Sequence, residues 1–187
     1  MVDSSGIRGA LEAARQGDGR AAEVLYHAYQ PMLLRYLRSQ EPRMADDIAS
    51  EVWLAAAGAL ASFDGDESGF RAWLFTVARR RVIEHRRRGL RRRTDPVDPE
   101  TFVETAGPTD AADLAAGLVD AQRAVEQMVR HLSADQSEVL ILRVVADLSA
   151  AQVAQLMGRP EDWVRTTQHR ALKRLAAHLD ARMEVTS

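Results

Sequence analysis

Apolar side chains recur at steps of three and four residues through residues 21–82, the spacing that places them on one face of an α-helix. This pattern predicts three helices, the first kinked or interrupted at Pro31 and the third running on into a series of arginines. Their apolar stripes are Ala21, Val24, Leu25, Ala28, Tyr29, Met32, Leu33, Tyr36 and Leu37; Ile48, Val52, Ala55, Ala56 and Leu60; and Phe70, Trp73, Leu74, Val77, Ala78 and Val82. No segment alternates with the two-residue period of a strand, so the chain is predicted to be all-α.

Helix boundaries are marked clearly near the C-terminus. Ser133 and Ser149 each stand three residues before a glutamine, which is the capping-box pattern of a helix start. The second of these helices is predicted to stop at Gly158, and a last helix to open at Pro160, a residue that suits the first helical position. The predicted apolar stripes are Val139, Leu140, Leu142 and Val144; Val153, Leu156 and Met157; and Val164, Ala171, Leu172, Leu175 and Leu179.

Composition divides the chain into two parts. Residues 94–120 hold seven acidic residues, no basic ones and three of the six prolines, which is typical of an extended linker. We therefore predict two small helical domains, residues 1–93 and 121–187, joined by an acidic flexible linker at 94–120. The second is predicted to be a four-helix domain with a helix-turn-helix. Cysteine is absent, and neither an export signal nor an apolar run of membrane-spanning length is present, so a soluble cytoplasmic protein without membrane insertion is expected.

The net charge of −2 hides one strongly cationic block. Residues 79–93 contain nine arginines and a single acid, Glu84, and such a block attracts phosphate whatever the rest of the chain carries. If these residues are helical, Arg79, Arg80, Arg86 and Arg87 share much of one face, which suits contact with a nucleic-acid backbone. The alternative is a solvated helix end at the negative end of the helix dipole, and the pattern leaves both interpretations open.

Residues 149–175 fit a helix-turn-helix, in which the second helix enters the DNA major groove. With the apolar stripe turned inward, the opposite face of the last helix presents side chains able to bond base edges or phosphates. They are Trp163, Arg165, Thr166, His169, Arg170 and Lys173. A helical hairpin with a solvated basic face is the alternative, but the two capping boxes, the stop at Gly158 and the adjacent basic face favour DNA binding.

Two classes of function fit these features less well. An autonomous regulator would use its helix-turn-helix as a dimer on a palindrome, but it leaves the segment from Asp46 to Trp53 without a role. An enzyme would need more than the paired acids Asp46/Asp47 and Asp64/Asp66, which have no nearby histidine ligand, nucleophile elbow or phosphate-binding glycine motif. We expect no catalytic residue, metal site, cofactor or small-molecule substrate.

Four motifs together resemble one family. They are ADDIASEVWL at 45–54, FRAWLFTVAR at 70–79 followed by the arginines, LSAAQVAQLMG at 148–158, and VRTTQHRALKRL at 164–175. In this order, with an acidic segment between the second and third, they resemble the successive regions of extracytoplasmic-function (ECF) sigma factors of bacterial RNA polymerase. The resemblance implies a non-enzymatic transcription initiation factor that binds core RNA polymerase and promoter DNA, with an anti-sigma factor as a further partner.

The resemblance also implies a role for particular residues. Asp46, Asp47, Glu51 and Trp53 match the surface that docks on the polymerase clamp helices, although an ordinary amphipathic helix with Trp53 in the core would look the same. The loop at residues 62–69 matches the one that receives a flipped base of the minus-ten element. The residues implied in reading and melting that element are Phe63, Asp64, Trp73, Arg79, Arg80, Glu84, Arg86 and Arg87.

The remaining implications concern the last helix, the linker and the departures from the family pattern. The last helix matches the reader of the minus-thirty-five element, and the linker matches a segment directed toward the active centre, unless it is only a tether. Trp73 either stacks at the melted edge or belongs to the core. Arg80, Glu84, Ser50, Trp163 and Pro160 differ from the usual residues, which leaves the promoter preference open.

Overall fold

The computed structural model describes residues 4–94 and 131–186, and these residues form α-helices and short connections without a strand. The helices are α1 (Ser4–Arg15), α2 (Gly19–Gln40), α3 (Ala45–Ala59), α4 (Glu67–Thr94), α5 (Ala134–Val144), α6 (Ala150–Met157) and α7 (Glu161–Thr186), with a 3-10 turn (Leu60–Ser62) after α3. The all-α prediction is confirmed. The predicted acidic linker and the start of the second domain, residues 121–130, lie outside the described residues.

Helices α1 to α4 form an N-terminal module whose core is aromatic and aliphatic. Tyr29, Leu33 and Tyr36 from α2 are buried against Ile48 of α3 and Phe70 of α4, together with other apolar residues of these helices. The side chain of Asp18 caps α2 by accepting hydrogen bonds from the backbone N–H groups of Arg20 and Ala21. Helix α2 continues past Pro31, although proline has no N–H to donate, so the helix is not interrupted there. Interruption was one of the two outcomes that the sequence predicted.

Helix α1 has no counterpart among the predicted elements. Its inner face is formed by Ala10, Leu11 and Ala14, which are buried, and by Ile7, which packs at the edge of the core. The steps of three, one and three residues between these positions are helical, but two of the four side chains are alanines, so the apolar stripe is weak. The same spacing rule applied before residue 21 would have found the helix.

Helices α5 to α7 form a C-terminal module, and the capping residues predicted for its helix boundaries are present. Both capping boxes are present, because Ser133 and Ser149 accept from the N–H groups of Gln136 and Gln152 while those glutamine side chains accept from the serine N–H groups. Gly158 ends α6 in the left-handed conformation at φ 65°. The sequence thus determined both helix starts and the turn of the helix-turn-helix.

Three details of the C-terminal prediction are wrong. Val144, the last residue of α5, is exposed, because the buried positions of this helix are concentrated in residues 137–142. Leu172 is also exposed, since the inner face of α7 follows Val164, Thr167, Ala171 and Leu175, and Leu172 lies one residue off that line. Pro160 precedes the first residue of α7, and its carbonyl accepts the N–H of Val164.

The two modules pack against each other through two pairs of helices. Helix α5 contacts α2, and α6 contacts α4, so that a single apolar core runs from α1 to the start of α7. Tyr36 and Phe75 meet edge to face near this junction, with ring centroids 5.6 Å apart. The packing of the modules therefore covers one side of α4, the helix that carries the arginines.

Candidate nucleic-acid and polymerase interface

The outer face of α7 is a row of exposed polar and basic side chains. Arg165, Thr166, His169, Arg170 and Lys173 are all exposed, while Val164, Thr167 and Ala171 between them are buried. The guanidinium of Arg165 donates to the carboxylate of Glu161 one turn earlier, which holds the arginine along the helix. Five of the six side chains predicted for this face are thus available to a ligand.

Trp163, the sixth, has a different environment. Its ring is partly buried and packs against the hydrophobic core, so only part of it faces solvent. The guanidinium carbon of Arg159 lies 5.2 Å from the centroid of the Trp163 ring, within the range of a cation–π contact. Arg159 is exposed and was not among the predicted site residues.

The orientation of α7 is fixed by an arginine from α5. The Nε of Arg143 donates to Oε1 of Gln168 at 3.0 Å, and another nitrogen of the same guanidinium donates to the carbonyl oxygen of Leu148 just before α6. One side chain therefore links all three helices of the module. The rigid fork of a guanidinium suits this role, because it presents several donors in a fixed plane.

On α4, Arg80, Glu84 and Arg87 follow one another at steps of four and three residues along one face. Arg80 and Arg87 are exposed, and the Nε of Arg80 donates to Oε1 of Glu84 at 3.0 Å. Arg81 donates to the other carboxylate oxygen at 2.9 Å. Hydrogen bonds from Arg80 and then Arg81 hold the pKa of Glu84 below its usual value, so this acid stays charged among the arginines.

Arg79 and Arg86 point to other parts of the protein. The Nε of Arg79 donates to Oε1 of Glu138 in α5 at 3.0 Å, and its side chain is only 26% exposed. Arg86 is half exposed and contacts the end of α2, with its Nε 2.5 Å from Oε1 of Glu41 and a second nitrogen 2.8 Å from the carbonyl oxygen of Gln40. The four arginines predicted to share a face therefore divide into two exposed side chains, Arg80 and Arg87, and two that bond to other helices, Arg79 and Arg86.

Glu138 is the centre of the polar contact between the modules. Its Oε1 accepts from the Tyr36 hydroxyl at 3.0 Å as well as from Arg79, and the Glu138 side chain is 12% exposed. Burial, and then the neighbouring charge of Glu138, raise the pKa of Tyr36 well above its usual value. The tyrosine therefore remains a neutral donor to the carboxylate.

Two further links join the modules at the edge of this interface. Arg71 of α4 donates to Oδ2 of Asp147 at 2.6 Å and to Glu67 on its own helix at 2.8 Å. The side-chain amide of Gln152, which belongs to the second capping box, donates to Oγ of Ser68 at 2.9 Å. Asp147 has φ 51° and so occupies the left-handed region, uncommon outside glycine, in the turn before α6.

The loop at residues 62–69 is closed by an aromatic cluster. Phe63 is partly buried and meets Phe70 edge to face, with centroids 5.6 Å apart, and Trp73 at 5.8 Å. The guanidinium of Arg15 lies 5.3 Å from the Phe63 centroid and donates to the carbonyl oxygen of Gly65.

Glycine at position 65 lets the Phe63 ring approach closely, because a Cβ there would come 2.7 Å from the ring and would displace it. The start of α4 is capped by Asp66, whose Oδ1 accepts from the N–H of Gly69 at 2.7 Å. Asp64 is exposed at the tip of the loop. Trp73 is partly buried at the edge of the core, so its ring faces both the cluster and solvent.

Helix α3 presents an exposed stripe on one side. Asp46, Asp47, Ser50 and Leu54 are exposed, and Leu54 is 75% exposed, the largest fraction among the large apolar side chains described. Asp46 also lies 3.6 Å from Arg38. Leu54 was missed in the sequence, although its position eight residues after Asp46 places it on the same face.

Glu51 and Trp53 are tied to neighbouring helices. Oε1 of Glu51 lies 3.0 Å from Nε2 of His85, and Oε2 lies 3.6 Å from Nε of Arg81, both on α4. The indole N–H of Trp53 donates to Gln30 at 2.7 Å, and its ring lies 5.1 Å from that of Tyr26 on α2. The four side chains predicted for docking thus divide into two exposed acids and two partly buried residues that join helices.

Within residues 4–94 and 131–186, no group of three or more histidine, cysteine, aspartate or glutamate side chains is placed to hold a metal ion. No helix in the same part of the chain has the length and apolar character needed to cross a membrane.

Comparison with known proteins gives consistent results over both modules. A family model described as Sigma-70 region 2 matches residues 25–93, and one described as Sigma-70, region 4 matches residues 122–175. The ECF RNA polymerase sigma factor SigD of Mycobacterium tuberculosis is 35% identical over 167 residues, which cover 85% of this chain and 77% of SigD. The ECF RNA polymerase sigma factor ShbA of Streptomyces griseus is 32% identical over 188 residues, covering 94% of this chain and 96% of ShbA.

Two solved structures have a similar fold. CnrH in complex with the cytosolic domain of CnrY is 26% identical, with a TM-score of 0.61 over 94% of this chain and 98% of CnrH. RpoE of Bartonella quintana, in complex with the anti-sigma factor NepR, has a TM-score of 0.58 over 84% of this chain and 98% of RpoE. Its 23% identity supports a likeness of fold.

Proposed function

Since the chain belongs to the family of ECF RNA polymerase sigma factors, we propose that its two helical modules read two promoter elements for a polymerase on which they dock. The protein is a transcription initiation factor that binds core RNA polymerase and directs it to promoters. In the proposed division, residues 1–93 dock on the core enzyme and read and melt the minus-ten element. Residues 94–120 connect the modules, and residues 121–187 read the minus-thirty-five element.

The observation that carries this proposal is the presence of exposed cationic helix faces on two separate modules. Arg80 and Arg87 lie on α4, and Arg165, Arg170 and Lys173 lie on α7. Phosphate attraction brings both faces to DNA, and the helix-turn-helix places the N-terminal half of α7 in a major groove. A polymerase that sets the spacing of the two modules then converts two short contacts into recognition of one promoter.

For the upstream element, we assign base and phosphate contacts to the exposed side chains of α7. Arg165 and Thr166 lie in the first half of the helix, where base edges are reached, and Arg165 can bond two acceptors of guanine when it leaves Glu161. His169, Arg170 and Lys173 follow further along the same face and suit phosphates or the edge of the groove.

For the minus-ten element, we propose that the exposed residues of α4 and of the loop make the first contacts with DNA. Arg80 and Arg87 bind backbone phosphates, Glu84 keeps Arg80 oriented, and Asp64 lies at the loop tip where a flipped base would arrive. Phe63 and Trp73 supply aromatic faces beside that position.

Arg79 and Arg86 are proposed to join the minus-ten contact after they leave their present partners. Arg79 is bonded to Glu138 on the other module, so its contact with DNA requires that α5 move away from α4. Arg86 is bonded at the end of α2 and needs only a side-chain rotation. Stretching of the chain across two promoter elements on polymerase would separate the modules and release Arg79.

For docking on the polymerase, the exposed stripe of α3 is the proposed contact. Asp46 and Asp47 offer charge at the start of the helix, and Leu54 offers an apolar side chain at its middle. Glu51 and Trp53 support this surface by fixing α3 against α4 and α2. An isolated exposed leucine is common, but one aligned with two acids on the same helix face suits a protein partner.

The protein is proposed to act in the cytoplasm, with no catalytic chemistry of its own. An anti-sigma factor is proposed as a further partner. The likeness to CnrH, which is seen in complex with the cytosolic domain of CnrY, supports a further protein partner of this kind.

Run-off transcription with purified core polymerase and a randomised promoter library tests the proposal. We expect specific transcripts that depend on the added chain, and selected templates that share two elements at a fixed spacing. A pull-down with core polymerase distinguishes an autonomous regulator, which would bind free duplex tightly and leave core polymerase unbound. Failure to bind core would refute the sigma function.

The minus-ten assignment has its own test. Reversal of both exposed charges, Arg80→Glu with Arg87→Glu, should reduce open-complex formation while leaving core binding intact, because both arginines are exposed and lie outside the α3 stripe proposed for docking. Permanganate reactivity of unpaired thymines in the minus-ten element measures the open complex. The matched control reverses the exposed Arg8 and Arg20 of α1 and α2, and equal losses in the two double variants would refute the assignment.

A further inference from the structure

We propose that Arg159, in the turn of the helix-turn-helix, binds a DNA phosphate at the edge of the minus-thirty-five element, and that Trp163 is the platform that holds it there. The inference rests on the proposed role of α7 as the recognition helix. It also changes the role of Trp163, which the sequence placed among the side chains that touch DNA. Trp163 is then a positioning residue, and Arg159, which lies outside the sequence motifs, makes the contact with DNA.

The backbone of Arg159 is fixed on both sides. Its N–H donates to the carbonyl oxygen of Ala154 at 3.0 Å, and the N–H of Gly158 donates to that of Gln155 at 3.3 Å. These two bonds are the Schellman closure of α6, which depends on the left-handed conformation of Gly158. Pro160 follows and restricts Arg159 to extended conformations. The direction in which this side chain leaves the turn is therefore set.

The side chain of Arg159 is also held. Its guanidinium lies over the Trp163 ring at 5.2 Å, and Trp163 is itself packed against the core of the module. An unrestrained arginine loses considerable rotamer freedom when it binds a ligand, so an arginine already stacked on a ring binds more tightly. Arg159 nevertheless remains exposed, which leaves its N–H groups accessible to a phosphate.

The position favours phosphate over a base edge. In a helix-turn-helix the first residues of the second helix face the bases, and the turn that precedes them meets the sugar-phosphate backbone at the rim of the groove. Two acids, Glu161 and Asp162, occupy the first turn of α7 and would repel a phosphate there. Glu161 is paired with Arg165, and Arg159, two residues before Glu161, supplies a further positive charge beside these acids.

Salt dependence of promoter binding by the holoenzyme tests the phosphate contact. Each neutralised phosphate contributes about −0.9 to the slope of log affinity against log salt, so Arg159→Ala should make the slope shallower by about 1. The ratio of wild-type to variant affinity should then shrink by roughly 3.5-fold between about 50 and about 200 mM salt. The exposed Arg8 of α1 gives a charge-matched control, because Arg8→Ala should leave the slope unchanged.

A library randomised in the minus-thirty-five element separates a phosphate contact from base reading. The inference requires that Arg159→Ala weaken binding to all members by a similar factor. A change in the preferred sequence would overturn it, and so would an unchanged salt slope in a holoenzyme that forms and transcribes normally. If the wild-type chain instead fails to bind core polymerase or to select an upstream element, the proposed function itself is refuted.

The platform role of Trp163 is tested by three variants. Trp163→Phe keeps an aromatic face and should retain nearly wild-type binding and salt slope. Trp163→Leu keeps an apolar side chain for the core but removes the π-face, and should reproduce the loss seen for Arg159→Ala. In the double variant, Trp163→Leu should add nothing to Arg159→Ala. Equal binding by the leucine and phenylalanine variants, or additive losses in the double variant, would overturn the platform role.

Discussion

Replacing Glu138 by alanine should weaken the contact between the two modules. Glu138 accepts hydrogen bonds from two helices of the other module, from the Tyr36 hydroxyl on α2 and from Nε of Arg79 on α4, each at 3.0 Å. Alanine leaves the fully buried Tyr36 hydroxyl without an acceptor and Arg79 without its counter-charge. The two helices then lose the polar contact that fixes their register against α5.

The magnitude follows from the burial of the three groups. A hydrogen bond to a charged group contributes about 1.5–3 kcal/mol, and Glu138 accepts two. Arg79 is 26% exposed, so solvent takes over part of its interaction after the change. We therefore expect Glu138→Ala to lower the free energy of unfolding by about 3 kcal/mol, and Arg79→Ala by about 2 kcal/mol, since the second change leaves Glu138 bonded to Tyr36. For a chain of this size, about 3 kcal/mol corresponds to a fall in Tm of about 6–12 °C.

Urea denaturation followed by circular dichroism, for wild type, both single variants and the double variant, measures these free energies. Because the two side chains share one interaction, the double variant should be little less stable than Glu138→Ala alone, with a coupling energy above about 1 kcal/mol. Hydrogen exchange should also show faster exchange in α5 and in the part of α4 around Arg79. Additive losses within about 0.4 kcal/mol would refute the bridging role of Glu138.

Three other predictions address the turn, the pH dependence and the upstream element. Gly158→Ala should cost about 1–2 kcal/mol in thermal denaturation, because φ is 65° there and a Cβ disfavours that conformation even where space is open; a change below about 0.3 kcal/mol would contradict this. Burial raises the pKa of Tyr36, so stability is fully present below about pH 10 and falls at higher pH, where the unfolded chain loses the hydroxyl proton first. Tyr36→Phe should flatten that alkaline decline, and an equally steep decline in the variant would show that Tyr36 is not its source. Arg165→Ala should weaken promoters that carry the preferred minus-thirty-five element by about 1–3 kcal/mol per contact in run-off assays and leave core binding intact, whereas an equal loss on every promoter would argue against base reading.

The interface around Glu138 bears directly on how the arginines of α4 are used. Two of them, Arg80 and Arg87, are exposed, and Arg79 is covered by the C-terminal module. A variant that weakens the module contact should therefore expose additional positive charge on α4. Promoter binding by Glu138→Ala can then be compared with its loss of stability. The comparison shows how the packing of the modules affects the contact proposed between α4 and DNA.

Local sequence signals determined most of the helices and the turn of the helix-turn-helix. A capping box needs only a serine and a glutamine three residues apart, and the left-handed end of α6 needs only a glycine, so Ser133, Ser149 and Gly158 could be interpreted without the rest of the fold. The exposed face of α7 followed from its apolar spacing. The motif order likewise indicated the family before any packing was known.

Tertiary structure decided which side chains of each face are free, because that depends on neighbours far away in sequence. Helical spacing placed four arginines of α4 close together, but only packing could show that Arg79 meets Glu138, 59 residues later, and that Arg86 meets the end of α2. In the same way, Glu51 and Trp53 were candidates for a docking surface, with Trp53 in the core as the alternative, and both are bonded to other helices. Periodicity specifies the side of a helix on which a residue lies. The partners on that side come from the packing of the whole chain, which brings distant charges within hydrogen-bonding distance.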